Sequence, residues 1–376
     1  MANENLGAAK KAKNDEFYTQ YQDIEKEMNA YLEYNPEVFR DKTVLLPCDD
    51  PEWSNFTRYF AQNFETLGLK KLISTSYAPN SKPKDLNIQP TLFELDSPQY
   101  DESKTATSGK IFTLTRDISG DGHINVDDLE WSYLAGDGDF RSEEITRLRD
   151  ESDIVITNPP FSLFREFLAW LIEGNAQFSI IGNMNAITYK EVFPLIRDNH
   201  LWLGATANGT DLVFRVPPGY EVAQADKEKA AKLGYEGDYT RLGNACWFVN
   251  IEHGRRHRPL PLMTEADNIK FSKHGEVRGL GYRKYDNYDA IEVPFTDSIP
   301  SDYPGIMGVP ISFLDKYNPD QFEILCKTER DDPLRSRIYA KTEYSNANDL
   351  NRGPTILVDG VPKNLYQRIM IRHKVA

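Results

Sequence analysis

Four consecutive residues, Asn158, Pro159, Pro160 and Phe161, combine the groups needed to activate a conjugated amine. An exocyclic amine on an aromatic ring is a poor nucleophile because its lone pair is delocalised. The amide oxygen of Asn158 and the backbone carbonyl of Pro159 can each accept a hydrogen bond from its N–H groups. That draws the nitrogen toward a tetrahedral shape and localises the lone pair. The two prolines fix φ and withhold N–H donors, so the loop presents acceptors. Phe161 offers a flat face on which a base can stack, a contact worth roughly 1–3 kcal/mol. The competing reading is a proline-rich strand-to-helix turn with Asn158 as a helix cap.

A second constellation lies at 117–128. Asp117, Ser119, Asp121, Asn125 and Asp128 fall at positions 1, 3, 5, 9 and 12 of an EF-hand-like loop, with Gly122 at the sharp turn and the carbonyl of His123 completing an oxygen shell. The spacing predicts a structural Ca2+ or similar hard cation; an acidic, glycine-rich turn is the alternative. The flanks fit less well, because 111–115 upstream reads as a strand rather than an entering helix.

The elements around these residues predict an α/β fold. Asp153 and the run Ile154-Val155-Ile156-Thr157 read as a buried parallel strand. Ser162 to Leu168 reads as the start of an amphipathic helix. Ligands in open α/β sheets bind beyond the carboxyl ends of strands, which is where Asn158 to Phe161 would sit. Residues 14–34 read as a helix rich in aromatics, including Phe17 and Tyr18. Further strands are expected at 43–47, 71–77, 111–115, 177–182, 201–203, 212–216 and 246–251. Helices are expected at 53–64, 141–149, 161–173 and near 189–197. Residues 78–110 are polar and Pro/Ser-rich, an insertion or long loop. Strand–helix alternation over 43–203 predicts a doubly wound parallel sheet. After about 253 the pattern breaks into Pro-, Gly- and Tyr-rich pieces, which predicts a second, mostly β and irregular domain.

A chain of 376 residues can hold two domains. No apolar run approaches the roughly 20 residues of a membrane span, residues 1–13 are polar, and Cys48, Cys246 and Cys326 have no zinc spacing. These features predict a cytoplasmic location. The net charge of −14 argues against indiscriminate nucleic-acid binding. Its distribution is uneven: residues 1–252 sum to −16 and residues 253–376 to +2. Basic clusters fall late, and Arg255, Arg256, Arg283 and Arg335 are candidate readers of guanine or binders of phosphate.

Strand, N-P-P-aromatic loop and helix in that order are a hallmark of amino-group methyltransferases. Further segments narrow the resemblance: Asn14-Asp15-Glu16-Phe17-Tyr18-Thr19-Gln20, Leu46-Pro47-Cys48-Asp49-Asp50-Pro51, Gly136 to Ser142, and Gly308 to Pro319. Together they resemble the EcoRI-type adenine-specific DNA methyltransferase family from about residue 14 to the C-terminus. The resemblance implies a Rossmann-like class I methyltransferase sheet over 1–252 and target recognition over 253–376. It also implies S-adenosylmethionine as cofactor and the N6 amine of adenine in double-stranded DNA as target, flipped out of the stack.

Carried onto this sequence, Phe17, Tyr18 and Thr19 would pack on the methionine part of the cofactor. Pro47, Cys48, Asp49, Asp50 and Pro51 would form the first strand-to-helix loop. That loop departs from the usual pattern: it lacks Gly-x-Gly, and its two carboxylates could bind the cofactor amine instead. Asp139 and Phe140 would meet the cofactor's adenine ring. Trp247 or Phe248 could stand near the flipped base, although a buried strand aromatic is the plainer reading. A cognate restriction endonuclease is a possible partner, and a monomer is expected. Alternatives are the same chemistry on RNA adenine or protein glutamine, and an inactive DNA-binding or calcium-dependent module.

Overall fold

The computed structural model describes residues 17–49, 54–78, 98–206, 212–216, 222–345 and 348–374. Asp50 and Pro51, the start of the expected helix at Trp53, and most of the 78–110 insertion lie outside the described residues. Packing divides the chain into two units: Met1–Val192 with Leu201–His253, and Phe193–His200 with Gly254–Ala376.

The first unit is built on an eight-stranded sheet. Its strands are β2 (Thr43–Leu46), β3 (Lys71–Ser76), β4 (Lys110–Leu114), β5 (Glu130–Tyr133), β6 (Ile154–Thr157), β7 (Gln177–Asn183), β8 (Trp202–Leu203) and β11 (Ala245–Val249), in the order β5-β4-β3-β2-β6-β7-β11-β8. The central strands β3, β2, β6 and β7 run parallel. Every residue of β2 and β6 is buried, as expected of strands covered on both faces. The edges are antiparallel: β4 and β5 form a hairpin beside β3, and β11 runs against β7 and β8. The sheet is therefore mixed rather than wholly parallel. The hairpin went unforeseen because the short run Glu130–Tyr133 carries little apolar pattern.

Alternate residues of each strand point to opposite faces. Val44, Leu46, Ile154, Ile156, Trp247 and Val249 pack with helix α1 (Tyr21–Tyr34) and helix α2 (Asn55–Gln62) in one core cluster. Helix α3 (Glu143–Asp150) and helix α4 (Phe164–Glu173) follow on either side of β6 in sequence. Phe164 of α4 packs on Phe248 of β11, 4.9 Å between ring centroids. Gly182 of β7 permits this approach, since a Cβ there would lie 2.3 Å from the Phe164 ring. Burying side chains such as Val44, Leu45 and Leu46 contributes about 1.5–3 kcal/mol each.

A separate three-stranded sheet joins distant segments: β1 (Tyr18–Thr19), β9 (Leu212–Arg215) and β10 (Tyr239–Leu242), in the order β1-β9-β10. Phe17 and Tyr18 thus belong to a strand and its lead-in, not to the helix expected from 14; α1 starts at Tyr21. Glu27 of α1 anchors the chain that leads toward β9. It is fully buried and accepts hydrogen bonds from Tyr31 Oη at 2.7 Å and from the backbone N–H groups of Ala205 and Thr206, each at 2.7 Å. Burial pushes its carboxyl up, against those bonds.

In the second unit, β12 (Ala290–Glu292), β13 (Ile306–Pro310), β14 (Phe322–Lys327) and β17 (Arg368–His373) form a sheet in the order β12-β13-β17-β14. Strands β15 (Thr355–Val358) and β16 (Val361–Asn364) make a hairpin, turned by Asp359 and Gly360 at positive φ. Glu292 is bound by Arg368 Nη2 at 2.6 Å and by the Tyr285 hydroxyl, a buried polar anchor in this unit. Among the described residues, no helix is long and apolar enough to cross a membrane.

Candidate active site

A cleft with about 640 Å3 of empty space opens at the carboxyl ends of β2 and β6. It is lined by Phe17, Tyr18, Thr19, Cys48, Asp49, Ser54, Asn55, Phe56, Tyr77, Asn158 and Pro160. Three chain segments far apart in sequence meet here: β1, the loop after β2, and the loop after β6.

The loop after β2 is held by a closed set of hydrogen bonds. Asp49, almost buried, accepts from Ser54 Oγ at 2.8 Å, and its other oxygen lies 2.8 Å from Thr157 Oγ1. The Thr157 hydroxyl is shared with the carbonyl of Pro47, 2.6 Å away. Ser54 also caps α2 by accepting from Phe56 N–H at 3.1 Å. The Asp49 carboxylate thus ties β2, α2 and β6 together while facing the cleft. Cys48 takes φ 66°, the left-handed region where glycine is the usual residue. Here the chain makes the tight turn without Gly-x-Gly.

Asn158 stands at the end of β6 with its amide oriented by β1. Its Nδ2 donates to the carbonyl of Phe17 at 2.6 Å, while its Oδ1 is buried and has no hydrogen-bond partner. Such an orphaned acceptor costs free energy in the free protein. The hydroxyl of Thr19 is likewise buried and unpartnered, and its backbone carbonyl accepts from Asn55 Nδ2 at 2.7 Å. Strand β1 and its lead-in therefore bridge the start of α2 and the loop after β6. Pro160 gives its carbonyl to Leu163 N–H at 2.9 Å, starting the turn into α4.

Phe161 joins an aromatic group with Phe17 and Phe214, at 5.7 Å from the first and 6.4 Å from the second. Phe214 of β9 is the aromatic that sequence reading missed. Trp247 and Phe248 have no exposed surface and belong to the core. Phe140 corrects a further expectation. It is 1% exposed and packs between Phe167 and Trp170, so it does not present a face to a ligand.

Asp139 is held by Arg141, at 2.6 Å from Nη2 to Oδ2 and 2.9 Å from Nε to Oδ1. Burial raises its carboxyl, but the bonds from Arg141 and from the Tyr77 hydroxyl more than offset this and keep it at about 2. Tyr77, between Asp139 and the cleft, is the residue of that region that lines the cavity. Its hydroxyl is pushed well up by burial and by its bond to Asp139. Gly138, at φ 86°, makes this possible: a Cβ there would lie 2.3 Å from the carbonyl oxygen of Ser76.

The loop at 117–128 corrects the calcium expectation. It connects two antiparallel strands, β4 and β5, and its carboxylates bond its own backbone. Asp128 accepts from the N–H groups of Ser119 at 2.8 Å, Asn125 at 2.9 Å and Ile118 at 2.9 Å, which hold its carboxyl at about 2. Asp117 accepts from Gly120 and Gly122, and Asp121 from His123. Asn125 caps the short turn that follows, and Ser119 donates to Asp117. Among the described residues, no group of three or more His, Cys, Asp or Glu side chains is placed to hold a metal ion.

In the second unit, three of the four candidate arginines are engaged internally. Arg255 pairs with Asp315 at 2.7 Å, Arg256 is buried and donates to Asn199, and Arg335 donates to the carbonyls of Glu329 and Asn351. Arg283 is exposed.

The family model for "Adenine-specific methyltransferase EcoRI" matches residues 5–374. The chain is 43% identical over 324 residues to the type II methyltransferase M.EcoRI of Escherichia coli, covering 86% of this chain and 89% of that enzyme. It is 31% identical to the type II methyltransferase M.MpnI of Mycoplasma pneumoniae and 33% to M.MgeORF184P of Mycoplasma genitalium, with 97% of each chain covered in both cases. No solved structure gives a significant match. With its N-P-P-F loop at the end of a central strand and the family model spanning nearly its whole length, the chain belongs to the EcoRI family of adenine-specific methyltransferases.

Proposed function

We propose that the cleft between β1, the loop after β2 and Asn158 to Phe161 is where this adenine-specific DNA methyltransferase brings cofactor and target base together. The activity is that of a type II restriction–modification methyltransferase. The observation that carries the site assignment is the buried, unpartnered amide oxygen of Asn158, fixed by the Phe17 carbonyl. A flipped adenine in contact with Phe161 would bring its N6–H groups to this oxygen and to the Pro159 carbonyl. These acceptors, in place before the base arrives, localise the amine lone pair.

S-adenosylmethionine is the cofactor this reading requires, and it supplies an electrophilic methyl group. The residues present fit it: the unpartnered Thr19 hydroxyl and the Asp49 carboxylate face the cleft and suit the cofactor's amino-acid end, and Phe17, Tyr18 and Tyr77 offer ring faces. The parallel core with helices on both faces supports a Rossmann-like class I assignment for residues 1–252. Residues 253–376 serve target recognition. There the β15–β16 ribbon, with Val361 64% exposed, and the 90% exposed Tyr366 have the form of elements that enter a major groove. In this reading the enzyme works in the cytoplasm, as a monomer, beside a cognate restriction endonuclease it does not need for activity.

The test is transfer of labelled methyl from S-adenosylmethionine to unmethylated genomic DNA, followed by nucleoside mass spectrometry and mapping of modified sites. N6-methyladenine at one short sequence is the expected result. Label appearing only on RNA or protein would refute the substrate, and absence of label despite cofactor binding would refute DNA methylation.

A further inference from the structure

We propose that Arg215 binds a phosphate flanking the target adenosine, so that the catalytic unit itself grips the backbone of the flipped nucleotide. The inference deepens the reading of the cleft as the adenine site and rests on it. It starts from register. In the small sheet, Arg215 of the middle strand β9 stands opposite Tyr18 of β1 and Tyr239 of β10. Directly opposed Cα atoms in such ladders are about 4.5–5.5 Å apart, and side chains alternate between faces. Tyr18, Arg215 and Tyr239 therefore share one face. Thr19, Phe214 and Thr240 share the other, and all three are buried.

One neighbour on its own face ties Arg215 to the site, whereas Phe214, one residue back and on the opposite face, packs against Phe17 and Phe161. Tyr18, one strand across, lines the cleft. Arg215 is exposed, and its guanidinium makes no hydrogen bond or ion pair among the described residues. Arg141 differs, being taken up by Asp139 and Glu166. An exposed arginine without a partner among the described residues, one strand across from the cleft-lining Tyr18 and in a region whose charges sum to −16, is a local positive feature rather than part of a basic surface.

An adenine that enters the cleft base-first leaves its two phosphodiesters at the rim. The guanidinium fork matches a phosphate with two parallel N–H···O bonds. Such a contact fixes register on the duplex without reading sequence.

The experiment is a salt series of binding titrations with the full-length protein on a duplex containing its methylation site. The site linkages are tested with and without a methylphosphonate, which removes one charge, at each position flanking the target adenine. For Arg215→Ala, the slope of log affinity against log salt falls by about one unit, and affinity drops about eightfold at 0.1 M salt. Arg215→Lys recovers the slope but only part of the affinity, and S-adenosylmethionine binding is the same in all three proteins. One methylphosphonate weakens the wild type and leaves Arg215→Ala unchanged. An unaltered salt slope in Arg215→Ala, or equal methylphosphonate losses in both proteins, overturns the proposal while leaving the methylation reading intact. A wild-type protein that does not methylate DNA overturns both.

Discussion

Two loops of the first unit each offered ligand-binding oxygens in sequence, and they differ in what their polar atoms are doing. In 117–128, Asp117, Asp121 and Asp128 accept hydrogen bonds from backbone N–H groups of the same loop. Around 158–161, the Asn158 oxygen and the neighbouring Thr19 hydroxyl are buried without partners. The first loop has completed its own hydrogen bonding and is a structural turn. The second holds acceptor and donor capacity at a free-energy cost that only a ligand recovers. Spacing of oxygen-bearing residues finds both loops; satisfaction of those oxygens separates them.

The contrast can be broken at several points. The largest effect belongs to Asn158→Ala, which removes the fixed acceptor. By analogy with loss of one preorganised hydrogen-bonding group, methylation falls by about 10²–10³-fold or more. Cofactor affinity stays within a few-fold, since in the proposed reading Asn158 serves the amine. Steady-state turnover with cofactor titration measures both. Thr19→Val comes next and sharpens the claim, because its two effects have opposite signs. Deleting a buried unpartnered hydroxyl stabilises the free enzyme by up to about 1 kcal/mol, and cofactor binding weakens by about 5–10-fold. Denaturant unfolding and calorimetry give the two signs.

The self-satisfied loop responds to acid instead. Asp128 sits at about 2 in the folded protein, against about 3.9 for an unfolded aspartate. A depressed carboxyl contributes stability that is present above about pH 4 and lost as pH falls through about 2. Protection of the Ile118, Ser119 and Asn125 amides, relative to their intrinsic exchange rates at each pH, should therefore hold down to about pH 4 and fall below it. Calcium added after chelation should give no heat and no rise in melting temperature. The smallest effect is expected at Cys48, whose left-handed φ of 66° glycine adopts without strain. Cys48→Gly should raise stability by at most about 1 kcal/mol in denaturant unfolding.

The legible parts of the sequence were those set by local chemistry. Asn158 to Phe161 needs two prolines and an acceptor in one run, and the β-branched residues before it form a buried strand. The unreadable parts depended on partners distant in the chain. Tyr18 pairs with Arg215, so an aromatic stretch that suits a helix became a strand. Phe214 joined the aromatic group by that same pairing, whereas Trp247 and Phe248, equally aromatic, faced the core. Phe140 was expected at the cofactor's adenine ring, but its direction was decided by Phe167 and Trp170 on α4. Arg255 looked like part of a basic surface cluster because its partner, Asp315, lies 60 residues away.

The most direct measurement compares wild type, Asn158→Ala and Thr19→Val side by side, recording cofactor dissociation constants and single-turnover methylation of duplex DNA. If the two unpartnered groups serve different ligands, the Asn158 change lowers the methylation rate with cofactor affinity held, and the Thr19 change lowers cofactor affinity with the rate at saturation held. Both variants moving both quantities together, or neither moving either, would contradict the account.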